Sequence, residues 1–224
     1  MEEILKLKKI HRLVISADGS AASGKTTGAK RISKKYGLKF LSSGLLYRYV
    51  SFQLLKHKPY NRISFLKNCF KDLSLKKLDN KNLHSPEISA HTSIIAKEKK
   101  IRIILKAFQV RFAKKYNKVC IEGRDIGTVI LPKADIKFFF KCNLNVAAKR
   151  RFDELRKNNK NIKLAEVKKA MHIRDNLDKK RKNSPLIQAE NAVIVRTDKL
   201  KNITGMLNKM SEIIEDKIKD KYGS

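Results

Sequence analysis

Residues 19–27 read Gly-Ser-Ala-Ala-Ser-Gly-Lys-Thr-Thr and fit the pattern G-x-x-x-x-G-K-[ST] from Gly19 to Thr26. No other stretch limits the fold of this chain so narrowly. The glycines let the backbone curl until successive N–H groups face one concavity, an arrangement that binds phosphate. The pattern needs an apolar strand before it and a helix after it. Both are legible: the run Leu13–Ala17 ends at Asp18, and Lys25–Tyr36 suits a helix whose N-terminus adds partial positive charge. Gly19, Ser20, Ala21, Ala22, Ser23, Gly24, Lys25, Thr26 and Thr27 are therefore expected to hold the phosphates of a nucleoside triphosphate. Lys25 would reach the β- and γ-phosphates, and a hydroxyl of Thr26 or Thr27 would approach Mg²⁺ or phosphate, with Thr26 the first choice for the ion. The motif is short, and a Gly/Ser-rich loop that merely contains a lysine is the plainer alternative; the strand and helix around it argue against that.

Apolar periodicity extends the pattern. Leu38–Leu41, Val119–Ile121, Ile136–Phe140 and Ala192–Val195 suit short buried strands. Leu45–Leu55, Glu87–Lys115, Val146–Leu155, Leu164–Lys180 and Ile203–Ile218 carry helical spacing. Residues 56–85 are rich in Lys and Asn and irregular, with a short helix expected at Ile63–Phe70. Strands alternating with helices predict a three-layer α/β fold, a parallel sheet covered on both faces. One domain is expected over residues 1–224, with core segments 10–56 and 87–222, a reduced insert at about 57–86 and a helical lid at about 150–182.

Composition removes several function classes. No apolar run approaches the roughly 18 residues of a membrane span. Met1–Arg12 is polar and lacks a secretory signal, so a cytoplasmic protein with no membrane partner is expected. Cys69, Cys120 and Cys142 are too far apart for a zinc knuckle or a redox pair, which fits a reducing compartment. Lys+Arg number 53 against 21 Asp+Glu, a net charge of +32. A nucleic-acid partner is one reading of that excess. But the lysines are spread along the whole chain instead of forming one tract, and aromatics make up only 7% with no Trp, so no stacking platform is evident. No specific nucleic-acid partner is expected, and a positive field also attracts nucleotides.

Three further segments carry a specific resemblance. Leu41-Ser42-Ser43-Gly44-Leu45-Leu46-Tyr47-Arg48 resembles the L-D-[ST]-G-x-x-Y-R segment of bacterial cytidylate kinases. Glu122-Gly123-Arg124-Asp125-Ile126-Gly127-Thr128-Val129 with Pro132 resembles that family's G-R-D-x-G-T-V-x-x-P signature. Arg174-Asp175-Asn176-Leu177-Asp178-Lys179-Lys180-Arg181, before Pro185-Leu186, is similar to its R-D-x-x-D-x-x-R segment. With the phosphate loop these four segments run in family order over nearly the whole chain.

The resemblance implies a P-loop kinase that phosphorylates CMP and dCMP from ATP with Mg²⁺, and a monomer is expected. It implies catalytic roles for Lys25, Arg124 and Arg181. Arg48, Arg124 and Arg181 correspond to residues that hold the acceptor phosphate, where forked guanidinium groups suit the geometry. Asp125 corresponds to the carboxylate that accepts from the cytosine N4 amino group, and Ser93 and Arg102 fall at the spacing of the family's other base contacts. Ser43, Arg174 and Asp178 correspond to the sugar set, and Arg150 and Arg151 to the lid edge over ATP. Because the attacking acceptor oxygen is already anionic, no general base is needed.

Each assignment has a plainer reading beside it. Arg124 and Asp125 could simply pair with each other. Arg174, Asp178 and Arg181, at i, i+4 and i+7, could be a solvated stripe on one helix face. The chain also departs from the family in four places. Ser42 stands for an aspartate, Thr26-Thr27 for Gly-Thr, and Ala147 for an arginine, which implies one cation fewer at the donor site; residues 72–86 are short for the family's small β-sheet insert. Other acceptors, UMP or a hydroxyl substrate, and a nucleic-acid-stimulated ATPase remain the alternatives.

Overall fold

The computed structural model describes residues 12–157, 160–200 and 202–223; residues 158 and 159, within the lid expected at about 150–182, lie outside the described residues. The chain divides into two compact units, residues up to 41 together with 116 onward, and residues 42–115.

The first unit holds a five-stranded sheet of order β2-β3-β1-β4-β5, with β1 Leu13–Gly19, β2 Lys39–Ser42, β3 Lys118–Gly123, β4 Ile136–Lys141 and β5 Val193–Arg196. All seven residues of β1 are buried, as a central strand covered on both faces requires. It runs parallel to β3 on one side and β4 on the other, in a register that sets Asp18 beside Gly123 and Gly19 beside Phe140. The loops that leave β1, β3 and β4 therefore emerge together at the carboxyl edge, where open α/β sheets bind ligands. The α/β sheet flanked by helices expected of a P-loop protein is what the chain forms.

Helices α1 (Lys25–Lys35) and α8 (Ile203–Tyr222) cover one face of the sheet. Ala29, Ile32 and Tyr36 meet Met206, Met210 and Ile214 over Ile15, Phe138 and Phe140. Helices α6 (Leu144–Arg156) and α7 (Leu164–Lys180) pack on each other through Ala147, Ala148, Val167 and Met171, with Ala21 and Ala22 of the phosphate loop against this cluster. Ala147 is 2% exposed there. Ala147, where the resemblance leads one to expect an arginine, thus points inward here, and small size is what its packing demands.

The second unit contains α2 (Ser43–His57), α3 (Arg62–Lys71), α4 (Pro86–Ile95) and α5 (Lys99–Lys115). Phe70 is central: Tyr49 and Phe108 meet its ring edge-on at 5.8 and 5.3 Å. Residues 75–84 form two 3₁₀ turns. The helical spacing from Glu87 to Lys115 is interrupted, because the chain turns at Ala96–Glu98 between α4 and α5, closing on the carbonyls of Ile94, Ile95 and Thr92. Ser42, Asn61 and Ser85 cap α2, α3 and α4 by accepting from the N–H of Leu45, Ser64 and Ile88.

Candidate active site

The loop after β1 curls tightly because two of its residues lack side chains where they matter. A Cβ on Gly19 would lie 2.5 Å from the Phe140 carbonyl oxygen, and Gly24 takes φ +81° at the N-cap of α1. Ser23 pins the curl by donating to the Ser20 carbonyl at 2.9 Å. Lys25 begins α1 with its ammonium 3.6 Å from the Glu122 carboxylate. Burial pushes the Lys25 pKa down to about 8, the Arg124 guanidinium adds to that, and Glu122 opposes it. Thr26 and Thr27 follow with exposed side chains on the first turn.

Beside this loop the ends of β3 and α7 bring together a set of opposite charges. Arg124 donates to the Gly19 carbonyl, and its Nε lies 2.9 Å from Asp178; Asp175 is 3.9 Å away. Asp175 also accepts from the Ala21 N–H at 3.1 Å, tying α7 to the phosphate loop. Arg181 lies 3.3 Å from Asp178 and 3.8 Å from Asp125, and its Nε donates to the Ser184 carbonyl. Each arginine thus faces carboxylates that a phosphate would have to replace. Arg124 pairs with Asp178 instead of its neighbour Asp125. Helix α7 stops at Lys180, so Arg181 is the extended residue that follows it and not a third residue on its face. Arg174, partly buried, lies on α7 one residue before Asp175.

The two arginines expected at a lid edge, Arg150 and Arg151, part company. Arg150 donates to the hydroxyl and carbonyl of Thr197 at 3.1 and 3.0 Å, and the Thr197 hydroxyl donates to the Ser23 carbonyl. Arg150 is therefore one side chain removed from the phosphate loop. Arg151 pairs along α6 with Glu154 at 2.8 Å.

The remaining candidates belong to the second unit. Ser43 is buried at the first position of α2. Arg48 donates to the Leu83 carbonyl and to the Ser89 hydroxyl, both at 2.8 Å. Ser93 donates to the Ser89 carbonyl, one turn earlier on α4. Arg102, 9% exposed, donates to the Ala96 carbonyl at 3.1 Å and lies over the Tyr47 ring. A cavity of about 310 Å³ in this unit is lined by Tyr49, Phe65, Cys69 and Asp72 among others, and none of the candidate residues contributes to its wall.

Among the described residues no group of three or more His, Cys, Asp or Glu is placed to hold a metal. A single exposed hydroxyl at Thr26 fits an ion that brings its other ligands as phosphate and water, which is how Mg²⁺ is bound at nucleotide sites; there it neutralises charge on the phosphates. Four residues that sequence reading passed over enter the site: Asp18, Glu122, Asp175 and Thr197. Asp18 and Glu122 had a signal, since each is an acid at the carboxyl end of a buried parallel strand. Thr197 had none, because it acts through contacts 174 and 47 residues away.

Residues 15–216 match a family model described as cytidylate kinase. The cytidylate kinase of Bartonella tribocorum is 40% identical over 192 residues, covering 84% of this chain and 87% of that protein. The cytidylate kinase of Rickettsia rickettsii is 35% identical over 206 residues, covering 91% and 92%. A crystal structure of an uncharacterized protein from Eubacterium ventriosum superposes with a TM-score of 0.53 at 15% identity, over 92% of this chain and 98% of that one, a likeness of fold alone.

Proposed function

Because this chain belongs to the cytidylate kinase family, and is thereby an ATP-dependent nucleoside monophosphate kinase, we propose that its acceptors are CMP and dCMP, which it converts to CDP and dCDP with Mg²⁺ as cofactor. Asp125 supports this reading most: a carboxylate 4% exposed, just past the end of β3 and within 3.8 Å of Arg181. A buried carboxylate accepts from the cytosine amino group, whereas uracil presents a carbonyl there and would leave two acceptors facing each other.

In the proposed reaction an anionic oxygen of the acceptor phosphate attacks the γ-phosphorus of ATP, the bond from that phosphorus to the β,γ-bridging oxygen breaks, and ADP leaves. No proton has to be removed, so alignment and charge neutralisation carry the rate. Lys25, Arg124 and Arg181 are assigned to the transferring group. Residues 19–27 with Arg150 and Arg151 are assigned to ATP, and Thr26 to the ion. The acceptor is assigned to Arg48, Arg124 and Arg181 at its phosphate, to Asp125, Ser93 and Arg102 at its base, and to Ser43, Arg174 and Asp178 at its sugar. The whole chain is proposed to work as one kinase domain and as a monomer, with residues 150–182 as the lid.

ADP release with Mg-ATP, measured against CMP, dCMP, UMP, AMP, GMP and single-stranded RNA, tests the reading. Turnover with CMP and dCMP alone is the expected result; equal turnover with UMP would remove the base assignment. In Asp125→Ala, kcat/KM for CMP should fall roughly 100-fold or more, because the base would lose a buried partner. ATP affinity should stay within about threefold.

A further inference from the structure

We propose that Asp18 is a positioning residue for acceptor recognition, its carboxylate fixing the turn Ile126–Ile130 and through it the direction of the Asp125 side chain. The inference rests on the reading of Asp125 as the base-contacting residue. Asp18 is the penultimate residue of β1 and 3% exposed. One carboxylate oxygen accepts from the Ile126 N–H at 2.8 Å and the other from the Gly127 N–H at 2.7 Å. The Asp125 carbonyl then accepts from the N–H groups of Val129 and Ile130, closing a wide turn. The peptides that follow Asp125 are therefore held from both sides, and Asp125 itself takes φ −139°, ψ 25° at the head of the turn.

Gly127 is needed for this grip. A Cβ there would stand 2.9 Å from the Ser16 hydroxyl and 3.3 Å from both the Asp18 carboxylate and the Ala189 methyl. Only the missing side chain lets the backbone come close enough to donate. The two donors also call for an ionised carboxylate, since an amide of the same shape offers one acceptor and sets its NH₂ against the second N–H.

Stability alone gives no reason for the charge. Burial pushes the Asp18 pKa up to about 6; the Gly127 and Ile126 N–H groups and the Lys25 ammonium oppose that, and the Asp125 carboxylate adds to it. Folding therefore favours the neutral form, and the group's contribution to stability falls as pH rises from its ordinary 3.8 towards 6. A buried charge maintained against this trend, and aimed at the turn that starts with Asp125, reads as a device for geometry.

The test measures kcat/KM for CMP and UMP, ATP affinity and Tm in Asp18→Asn, Gly127→Ala, the double variant and Asp125→Ala. Asp18→Asn should lower kcat/KM for CMP by about tenfold or more and narrow the CMP-to-UMP ratio, with ATP affinity within about threefold and Tm within about 3 °C. Gly127→Ala should act in the same direction, and the double variant should add little, as expected for two parts of one contact. An unchanged ratio in both single variants, or a parallel decline of Tm and of both substrates, would overturn the inference. If Asp18→Asn does not fold, Gly127→Ala decides by the same ratio. Absence of a CMP preference in the unaltered enzyme, or an unchanged ratio in Asp125→Ala, overturns the base assignment and this inference with it. A collapsed ratio in Asp125→Ala beside unchanged ratios in the other two overturns this inference alone.

Discussion

Lys25 is pulled two ways. Burial and the Arg124 guanidinium favour its neutral amine, and Glu122, 3.6 Å away, favours the ammonium. The first pair prevails and leaves a pKa of about 8 against the ordinary 10.5. A lowered lysine pKa means that folding favours the unprotonated form, so this group's contribution to stability rises as pH climbs from about 8 towards 10.5. Nucleotide binding should run the other way, because polyphosphate supplies the charge that the ammonium needs. ATP is therefore expected to bind with uptake of a proton above pH 8, its affinity falling up to about tenfold per pH unit between roughly pH 8 and 9.5. Calorimetric titrations in buffers of different ionisation enthalpy would show the uptake, and Lys25→Met should abolish it. An affinity flat over that range would mean that Lys25 keeps its proton in the free enzyme.

At the scale of elements, the site depends on where strands and helices end, and each end has its own chemistry. Helix α2 starts at Ser43 with no acidic residue in its first turn, so the Ser42 hydroxyl, accepting from the Leu45 N–H at 3.4 Å, is its side-chain cap. Ser42→Ala should cost about 1 kcal/mol. That is roughly 2–4 °C in Tm for a chain of this size, and thermal unfolding would read it; no change would mean that this long hydrogen bond contributes nothing. The sequence made such boundaries legible where local chemistry sets them. The phosphate loop declares itself through Gly19 and Gly24, and β1, β3 and β4 through short, mostly apolar runs, broken only by Ser16 in β1 and Lys137 in β4. The turn between α4 and α5 was hidden, because Ala96-Lys97-Glu98 contains neither Gly nor Pro to mark it. The turn after Asp125 was hidden for a different reason: its anchor, Asp18, is 108 residues away in sequence. Likewise Arg181 looked helical by spacing, but α7 ends one residue before it, and the Leu186 N–H reaches back to the Asp178 carbonyl. Side-chain identity could be read from the family signatures, but pairing could not, which is why Arg124 with Asp178 emerges only from the fold.

For the whole molecule the governing number is the net charge of +32, carried by lysines spread along the chain. Such an excess repels itself in the compact state, and it also raises the local concentration of anionic substrates. Both effects are screened by salt, with a Debye length of about 10 Å at 0.1 M, yet they push different observables in opposite directions. Raising NaCl from roughly 20 to 300 mM should increase Tm by several degrees, as self-repulsion is relieved, while KM rises for both ATP and the nucleoside monophosphate. Single-stranded RNA should then behave as a competing polyanion: inhibitory at low salt, harmless at high salt, and never a stimulant of ATP hydrolysis. If RNA instead accelerates ADP release in the absence of any nucleoside monophosphate, with a steep loss on adding salt, the charge serves nucleic-acid binding and is more than an electrostatic background to a small-molecule kinase.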